Sequence, residues 1–382
     1  MLVYTSVTKS YIPKARVLAK SVKKFHPNWH FVLLLSDTLP LNFDIQNEPF
    51  DEILTINKLN LPNLRSWMFS HAVVELCTAV KGPAAEIFAS RTEVEKIMYL
   101  DPDIRVYSSL ADLEARLDEK DILLTPHLLQ FENNMEAVLD NEISALKHGI
   151  YNLGFFAAKS SGQGLEFIKW WSNRLYLFCR DDIPNGLFTD QRWCDLAPAF
   201  FSNLEIIRDP GCNVATWNIA HRPISKTASG EYYIRDTPLK FYHFTSFDNG
   251  NGLLMLEKYS DAKSIAHEIW SQYRRDLELE GQGLPDFSGW KYDRFDDGTK
   301  ISDQSRILYR DRLDIQARFT DPYSSIEPSY SSWFKKRNGW LGRPYRFKEI
   351  LIEIPIFIQR VYRKVLRDGL VAFVKSAFAR FF

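Results

Sequence analysis

VEKIMYLDPDIRVYSSL, residues 94–110, carries an apolar run that is built to be buried and that ends in two acids. Asp101 and Asp103 are separated only by Pro102, and β-branched apolar residues resume at Ile104. Two carboxylates this close repel each other unless a countercharge is present. A divalent cation supplies that charge, and Mn²⁺ or Mg²⁺ prefers oxygen ligands. The alternative is a solvated turn with two surface acids, because short motifs recur by chance.

The segments around this motif alternate between short apolar runs and amphipathic stretches. LVYTSV, HFVLLLSD, DEILTI, KIMYLD, DILLTP and YNLGFFAAK are predicted strands. Helical spacing follows Pro13, and a separate helix-rich stretch after the third strand runs through FSHAVVELCTAVKG, where Gly82-Pro83 predicts a stop. This alternation predicts an α/β fold with a mainly parallel sheet covered by helices on both faces. Ligands bind beyond the carboxyl ends of such strands, so the two acids are expected in a cleft.

The pattern weakens after about residue 250, which predicts three parts. Residues 1–250 form the α/β domain, and residues 251–330 form a subdomain of helices and loops. Within it, DAKSIAHEIWSQYRRDLELEG and DQSRILYRDRLDI are predicted helices, and TDPYSSIEPSYSS has the composition of a linker. Residues 331–382 form a basic amphipathic tail, so the fold class includes a C-terminal helical extension.

Composition limits the class of protein. The 382 residues are 45% hydrophobic, which is enough for a sizeable core and excludes global disorder. The four cysteines are isolated, without a C-x-x-C pair, which favours buried thiols in a reducing cytosol over a zinc site. No signal peptide and no apolar run of ~18–20 residues is found, so we expect a protein of the cytosol or of a membrane's cytoplasmic face.

Charge is unevenly distributed although the net charge is zero. The tail contains 12 Lys/Arg and 3 Asp/Glu. Residues 1–330 therefore carry an excess of Asp/Glu over Lys/Arg. Its apolar stripe contains aromatic residues, and this pattern is typical of a helix that binds an anionic membrane surface. Docking on the protein's own acidic body is the alternative. A nucleic-acid partner is not expected, because no recognition fold accompanies the basic residues.

Five segments jointly resemble one family of enzymes. They are VYTSVTKSYIPKARVLAKSV, MYLDPDIRVY, YNLGFFAAK, TDQRWCDL and KFYHFTSFD, and they span roughly residues 1–250 in the family's order. The sequence resembles a GT-A-fold, nucleotide-sugar-dependent glycosyltransferase, most like glycosyltransferase family 8 and related bacterial polysaccharide enzymes. This resemblance implies a GT-A domain, a nucleotide-sugar donor and a divalent metal.

The resemblance assigns roles to the predicted motifs. Asp101, Asp103 and His243 would bind Mn²⁺ or Mg²⁺, although His243 among aromatic residues could also be a satisfied core histidine. Asn152 and Gly154 match an asparagine-x-glycine pattern near the donor and acceptor sugars. The amide both donates to and accepts from hydroxyl groups, and glycine allows close approach of the backbone.

Two further residues are the implied catalytic pair. Asp190 would hydrogen-bond the hydroxyls of the donor sugar, and Gln191 would face the anomeric carbon. Because the resemblance implies retention of configuration and an amide is a poor nucleophile, we favour same-face attack over a double displacement. A helix N-cap at Thr189 or Asp190 is the structural alternative.

The remaining binding candidates are polar residues near predicted strand ends and in a loop rich in Asn and Trp. They are Thr5, Ser6, Thr8, Asp37, Lys81, Asn213, Trp217 and Asn218. Two family features are missing, namely an acidic nucleotide contact after the first strand and a lysine-proline-tryptophan run after the histidine. Lys81 is therefore the candidate for a diphosphate-binding lysine, and Trp217 could alternatively belong to the core.

These inferences predict a metal-dependent retaining glycosyltransferase. It would transfer a sugar, most plausibly from a UDP-sugar, to a glycan or lipid-linked oligosaccharide in cell-surface polysaccharide synthesis. The expected location is peripheral, on the cytoplasmic face of the inner membrane. A sugar nucleotidyltransferase is one alternative, although TSVTKSYIPK has no glycine for a phosphate loop. A catalytically silent carbohydrate-binding or scaffold protein is the other.

Overall fold

A seven-stranded sheet forms the centre of the protein in a computed structural model that describes residues 1–40 and 43–338. The strands are β1 Leu2–Val7, β2 His30–Leu35, β3 Glu52–Thr55, β4 Lys96–Leu100, β5 Ile104–Val106, β6 Ile122–Pro126, β7 Tyr151–Lys159, β8 Asp181–Asp182, β9 Leu187–Phe188, β10 Leu204–Ile206, β11 Ile224–Lys226, β12 Tyr232–Ile234, β13 Thr237–Pro238 and β14 Phe241–His243. The order in the central sheet is β10-β6-β7-β4-β1-β2-β3. Only β7 runs antiparallel to its neighbours in that sheet.

Helices connect these strands and continue after them. They are α1 Ile12–Phe25, α2 Leu64–Phe69, α3 Val73–Ala79, α4 Lys81–Ala89, α5 Ala111–Glu119, α6 Met135–Ala137, α7 Ile143–His148, α8 Gly162–Phe178, α9 Gln191–Cys194, α10 Ala197–Phe200, α11 Asn251–Tyr259, α12 Ile265–Leu279, α13 Asp303–Asp311, α14 Leu313–Arg318 and α15 Tyr330–Asn338. A π-helical turn, Val138–Glu142, joins α6 to α7.

Both faces of the sheet are covered, as the apolar runs predicted. Along β4, Tyr99 packs in one core with residues of α4 and α8, whereas Met98 packs in another with residues of α1 and α5. Side chains alternate between the faces of a strand, so a strand that is apolar at every position must be buried on both sides. The predicted α/β fold with a mainly parallel sheet is therefore confirmed, as are helices after residue 250.

The strand order explains where the acids of the DPD motif lie. β1 is bonded to β2 on one side and to β4 on the other, so the chain changes direction across the sheet between β1 and β4. Such a switch point leaves a crevice at the carboxyl ends of the strands. Asp101 follows the last residue of β4 and is anchored there, because its N–H donates to the carbonyl oxygen of Gly154 at 2.8 Å.

A second, two-stranded sheet brings His243 to this crevice. β5 and β14 pair antiparallel, with His243 opposite Ile104, and the N–H of Phe244 donates to the carbonyl oxygen of Asp103 at 2.7 Å. A third apolar core supports β14 from below. In that core the Phe244 ring stacks on Tyr273 of α12 at a centroid distance of 3.8 Å.

Two predicted helix boundaries differ from the observed ones. Gly82-Pro83 does not end a helix but lies in the first turn of α4, where the missing N–H of proline has no intrahelical acceptor to lose. The helix predicted over DQSRILYRDRLDI is split into α13 and α14 at Arg312, whose backbone is extended. Residues 251–323 belong to the same compact unit as residues 1–250, and a second unit begins at Ser324.

The predicted domain boundaries at residues 250 and 330 stay predictions. The stretch with linker composition, residues 320–332, includes Ser324, where the second unit begins, and Tyr330, where α15 begins. The predicted amphipathic tail falls largely on residues 339–382, outside the described residues. In the described part of the chain, no helix is both long enough and apolar enough to cross a bilayer.

The contact between α4 and α8 at Gly82 provides a test of the packing. A Cβ atom at Gly82 would lie 2.5 Å from the Cα atom of Ser172, so Gly82→Ala must push the two helices apart. We expect this overpacking to exceed the gain in helix propensity and to lower the free energy of unfolding by about 1–2 kcal/mol. Urea unfolding followed by circular dichroism measures it. Glu86→Ala, on the exposed side of the same helix, is the control and should change stability by no more than about 0.5 kcal/mol.

Candidate active site

A cleft of about 740 Å³ opens at the carboxyl ends of β1 and β4. Ten of the residues predicted from the sequence line it: Ser6, Thr8, Lys81, Asp101, Asp103, Asn152, Asp190, Gln191, Trp217 and His243. Two other cavities of about 720 and 820 Å³ occur in the described part of the chain, and neither contains a predicted site residue. The residues that line this cleft, rather than its volume, therefore distinguish it from the other two cavities.

Asp101, Asp103 and His243 form a compact set of potential metal ligands. One oxygen from each carboxylate and one ring nitrogen of the histidine lie within 4.8 Å of one another. Nε2 of His243 is 3.1 Å from Oδ1 of Asp103 and 3.9 Å from Oδ2 of Asp101. Two carboxylates and an imidazole suit Mn²⁺ or Mg²⁺, so the donor set fits the predicted ion.

Asn152 orients the imidazole of His243. Its Oδ1 lies 3.1 Å from Nδ1 of His243, and Oδ1 of Asn213 lies 3.4 Å from the same nitrogen. Since both neighbours are acceptors, we assign a proton to Nδ1, which directs Nε2 towards the two acids. His243 is buried among aromatic side chains, and its Nε2 faces the two acids.

Among the described residues, Lys81 is the only lysine or arginine that bonds directly to the acids Asp101 and Asp190. Its Nζ lies 3.1 Å from Oδ1 of Asp101 and 3.0 Å from Oδ2 of Asp190. The lysine side chain is 6% exposed, and that of Asp190 is 4% exposed, so water screens this pair poorly. Tyr99 donates from its hydroxyl to the same oxygen of Asp101 at 2.6 Å.

The charges in the cleft perturb several pKa values. Burial opposes protonation of His243, but the carboxylates of Asp103 and Asp101 raise its pKa above the ordinary value. Burial raises the pKa of Asp190 despite the nearby Lys81. Three carboxylates and a single lysine leave an excess of negative charge, which a divalent ion would neutralise.

Gln191 and Asp190 are held in place by hydrogen bonds within the protein. Oε1 of Gln191 accepts from Nδ2 of Asn152 and from the N–H of Leu153, both at 3.1 Å, and its Nε2 donates to the carbonyl oxygen of His148. The Asp190 side chain makes no capping bond to α9, so the N-cap alternative is not what the structure contains. Thr189 has φ of 40°, a strained conformation for a β-branched residue, and this turn places Asp190 beside Lys81.

Five predicted site residues are not among those that line the cleft. Thr5 is fully buried within β1, and Gly154 lies behind His243. Asp37 accepts from the backbone N–H groups of Lys9, Thr38 and Lys291 and so ties β2 to residues near 291. Burial raises the pKa of this carboxyl.

The other two are in the loop after β10. Asn218 bridges the carbonyl oxygens of His127 and Asn213, and Asn213 has φ of 54°. Both therefore support the loop that carries Trp217. A direct role in substrate binding for these five residues stays a prediction.

Sequence reasoning missed several residues of the cleft wall. His127 follows β6 directly, and its Nε2 lies 3.2 Å from Nδ2 of Asn152. A polar residue at the carboxyl end of a predicted parallel strand was a usable signal for it. Asn141, Ser144 and His148 lie on the helical segment between β6 and β7, and no spacing in the sequence distinguishes their side of that segment.

Two proteins of Bacillus subtilis are similar to this chain in sequence. No family model matches it. It is 24% identical over 249 residues to the uncharacterised protein YfnD of Bacillus subtilis (strain 168), covering 64% of this chain and 76% of that protein. It is 27% identical over 165 residues to the uncharacterised protein YfnF of the same strain, covering 42% of this chain and 52% of that protein.

Similar solved structures are glycosyltransferases. The galactosyltransferase LgtC, in complex with donor and acceptor sugar analogues, shares 16% identity at a TM-score of 0.43, covering 74% of this chain and 95% of that chain. The glycosyltransferase GlyE of Streptococcus pneumoniae TIGR4 shares 18% identity at a TM-score of 0.42, covering 73% and 62%. The motifs of this sequence resemble the same class, but similarity at this level does not assign an activity.

A substitution at Gly154 tests the placement of the proposed metal ligands. A Cβ atom there would lie 2.5 Å from Cε1 of His243 and 2.8 Å from Oδ1 of Asn152, so Gly154→Ala should displace the imidazole. We expect Mn²⁺ affinity, measured by electron paramagnetic resonance, to fall at least about tenfold. The far-ultraviolet circular dichroism spectrum should be retained. Unchanged Mn²⁺ affinity in a folded variant would show that His243 does not bind the ion.

Lys81 tests the charge balance of the cleft. Lys81→Met leaves Asp101 and Asp190 without their cation, and we expect the free energy of unfolding to fall by about 3–5 kcal/mol. The double variant Lys81→Met/Asp190→Asn should recover part of that loss, because one buried charge is removed. Urea unfolding of both variants measures the difference. A double variant that is no more stable than Lys81→Met would contradict a charge-based role.

Proposed function

We propose that this protein is a metal-dependent glycosyltransferase that takes a sugar from a nucleoside diphosphate sugar, most plausibly a UDP-sugar. The observation that carries the proposal is the Asp101, Asp103 and His243 set in a cleft that Asn152, Asp190 and Gln191 also line. The first set suits a metal-bound diphosphate, and the second suits the hydroxyl groups of a sugar.

The donor would lie along the carboxyl ends of β1 and β4. Ser6 and Thr8 line the cleft after β1 and offer hydroxyl groups to a nucleoside. Asp101, Asp103 and His243 would hold Mn²⁺ or Mg²⁺, which neutralises charge on a departing diphosphate when it is bound. Lys81 orients Asp101, since its ammonium group lies 3.1 Å from that carboxylate.

The sugar would lie between Asp190 and Gln191. Asp190 has one oxygen on Lys81, and its other oxygen is 3.2 Å from the hydroxyl of Thr189, so the carboxylate is rigid. Both ends of the Gln191 amide are held by the protein. An immobilised amide can stabilise positive charge at the anomeric carbon but is a poor nucleophile. We therefore favour retention by same-face attack, in which the leaving phosphate accepts the acceptor's proton.

The acceptor in this proposal is a glycan or a lipid-linked oligosaccharide in cell-surface polysaccharide synthesis. Support comes from the sequence, because the tail at residues 331–382 carries 12 Lys/Arg against 3 Asp/Glu. Such a segment favours an anionic membrane surface and hence a peripheral location on the cytoplasmic face.

Hydrolysis of a panel of nucleotide sugars tests the function. The wild-type protein should release UDP from at least one UDP-sugar when Mn²⁺ is present and not when EDTA is present. Asp101→Asn and Asp103→Asn should each lower that rate by at least about 100-fold, since each removes a charged ligand. Asp118→Asn is the control, because that acid is 69% exposed and pairs with Lys96 on the surface; its rate should match the wild type.

Three results would contradict the proposal. Hydrolysis that is equally fast in EDTA would exclude the metal role. Release of UTP from UDP-sugar and pyrophosphate would indicate a nucleotidyltransferase. Mn²⁺-assisted binding of UDP-sugars without any turnover would indicate a silent binding protein.

A further inference from the structure

Asn141 lies in the π-helical turn Val138–Glu142, within the segment that covers one side of the cleft. A π-turn inserts one residue into a helix and is often found at functional sites. Ser144 and His148 of the same segment also line the cleft. Leu139 and Leu146 point the other way and are 56% and 60% exposed, so the polar side of this segment faces inwards.

A buried acid fixes the orientation of the Asn141 amide. Nδ2 of Asn141 donates to Oε1 of Glu132 at 2.7 Å. The other oxygen of Glu132 lies 2.9 Å from Nε2 of His221, and the side chain of Glu132 is only 4% exposed. Because a carboxylate needs a donor, Glu132 selects the amide nitrogen, and Oδ1 of Asn141 is left as the free end.

That free oxygen has no partner in the part of the chain that the structure describes. Asn141 is 3% exposed, and no donor among residues 1–40 and 43–338 reaches its Oδ1 within hydrogen-bond distance. Leaving a buried acceptor unpaired costs about 1–3 kcal/mol. Asn141 lines the cleft, and Glu132 fixes its amide. Its unpaired Oδ1 is therefore available to accept a hydrogen bond from a ligand that enters the cleft.

Neighbouring contacts keep the turn in place. Asp140, the preceding residue, accepts from Nζ of Lys258 at 2.5 Å and from the hydroxyl of Tyr259 at 2.8 Å. These bonds join the π-turn to α11, which borders the cleft through Asn251 and Met255. The turn is thus fixed on both sides, by Glu132 and by α11, and Asn141 has little freedom to find another partner.

We propose that Oδ1 of Asn141 accepts a hydrogen bond from a hydroxyl group of a sugar bound in the cleft. This inference rests on the proposed function. Asn141 is then a binding residue that discriminates between sugars, and Glu132 is the positioning residue that turns its amide. The same chemistry is present in a donor sugar and in an acceptor sugar, and the experiment below separates the two.

The first arm measures donor binding by calorimetry in Mn²⁺. UDP and a panel of UDP-glucose, UDP-galactose and UDP-N-acetylglucosamine are titrated into the wild type, Asn141→Ala and Asn141→Leu. If the bond is to the donor sugar, both variants lose about 3- to 10-fold in affinity for the UDP-sugar that binds the wild type best. Their affinity for UDP itself stays within twofold, which a general disruption of the cleft would not allow.

The second arm measures acceptor binding. Methyl glucoside, methyl galactoside and lactose are titrated into the complex with Mn²⁺ and UDP, and saturation-transfer NMR records binding. If the bond is to the acceptor, the variants lose the same 3- to 10-fold for a glycoside while UDP-sugar affinity is unchanged.

Asn134→Ala is the matched control. Asn134 caps α6 by accepting from the N–H of Ala137, so its removal loosens the same segment without removing a polar atom from the cleft. This variant should bind every ligand as the wild type does.

Unchanged affinity in both arms for Asn141→Ala and Asn141→Leu would overturn the inference and leave the proposed function intact. Equal losses for UDP and UDP-sugar would also overturn it, because they would indicate a structural role. If the wild type binds no UDP-sugar in Mn²⁺, the proposed function fails, and the inference fails with it.

Discussion

The ion pairs of Lys81 are the interactions on which the site depends. Its ammonium group joins the carboxylate that follows β4 to the carboxylate that precedes α9, so one cation connects the central sheet to the segment that begins at Asp190. Lys81 and Asp190 are almost fully buried, whereas the Asp101 side chain is 25% exposed, and without this cation the two acids would repel each other. The position of α4 determines where this cation lies, because the helix begins at Lys81 and packs tightly on α8 through Gly82.

Asn152 couples the proposed metal ligands to the proposed catalytic amide. Its oxygen lies against Nδ1 of His243, and its nitrogen donates to Gln191. A single short side chain therefore sets the orientation of two functional groups on different elements, β14 and α9. Each strand or loop alone would leave these groups mobile, and the shared amide gives them a fixed relative position.

The sheet and the ends of its strands were predictable, whereas the joining of distant elements was not. Apolar runs such as that of β4 are buried on both faces, and this property appears directly in composition. Nothing in the local pattern around His243 indicates pairing with β5, and only the family resemblance suggested a shared site. A Gly-Pro pair predicts the end of a helix, but proline is also tolerated in a first turn, and here the pair lies at the start of α4. The π-turn at Asn141 has no local signal, since its geometry arises from contacts with Glu132 and α11.

The pairing of β5 with β14 has a consequence for biosynthesis. Asp103 is made early in translation, but its histidine neighbour emerges only after the whole central sheet has been synthesised. A nascent chain can bury the sheet's apolar faces while the cluster of acids still lacks its imidazole. Fragments truncated before residue 241 would then resemble the mature domain by their secondary structure and yet be unable to assemble the proposed metal site.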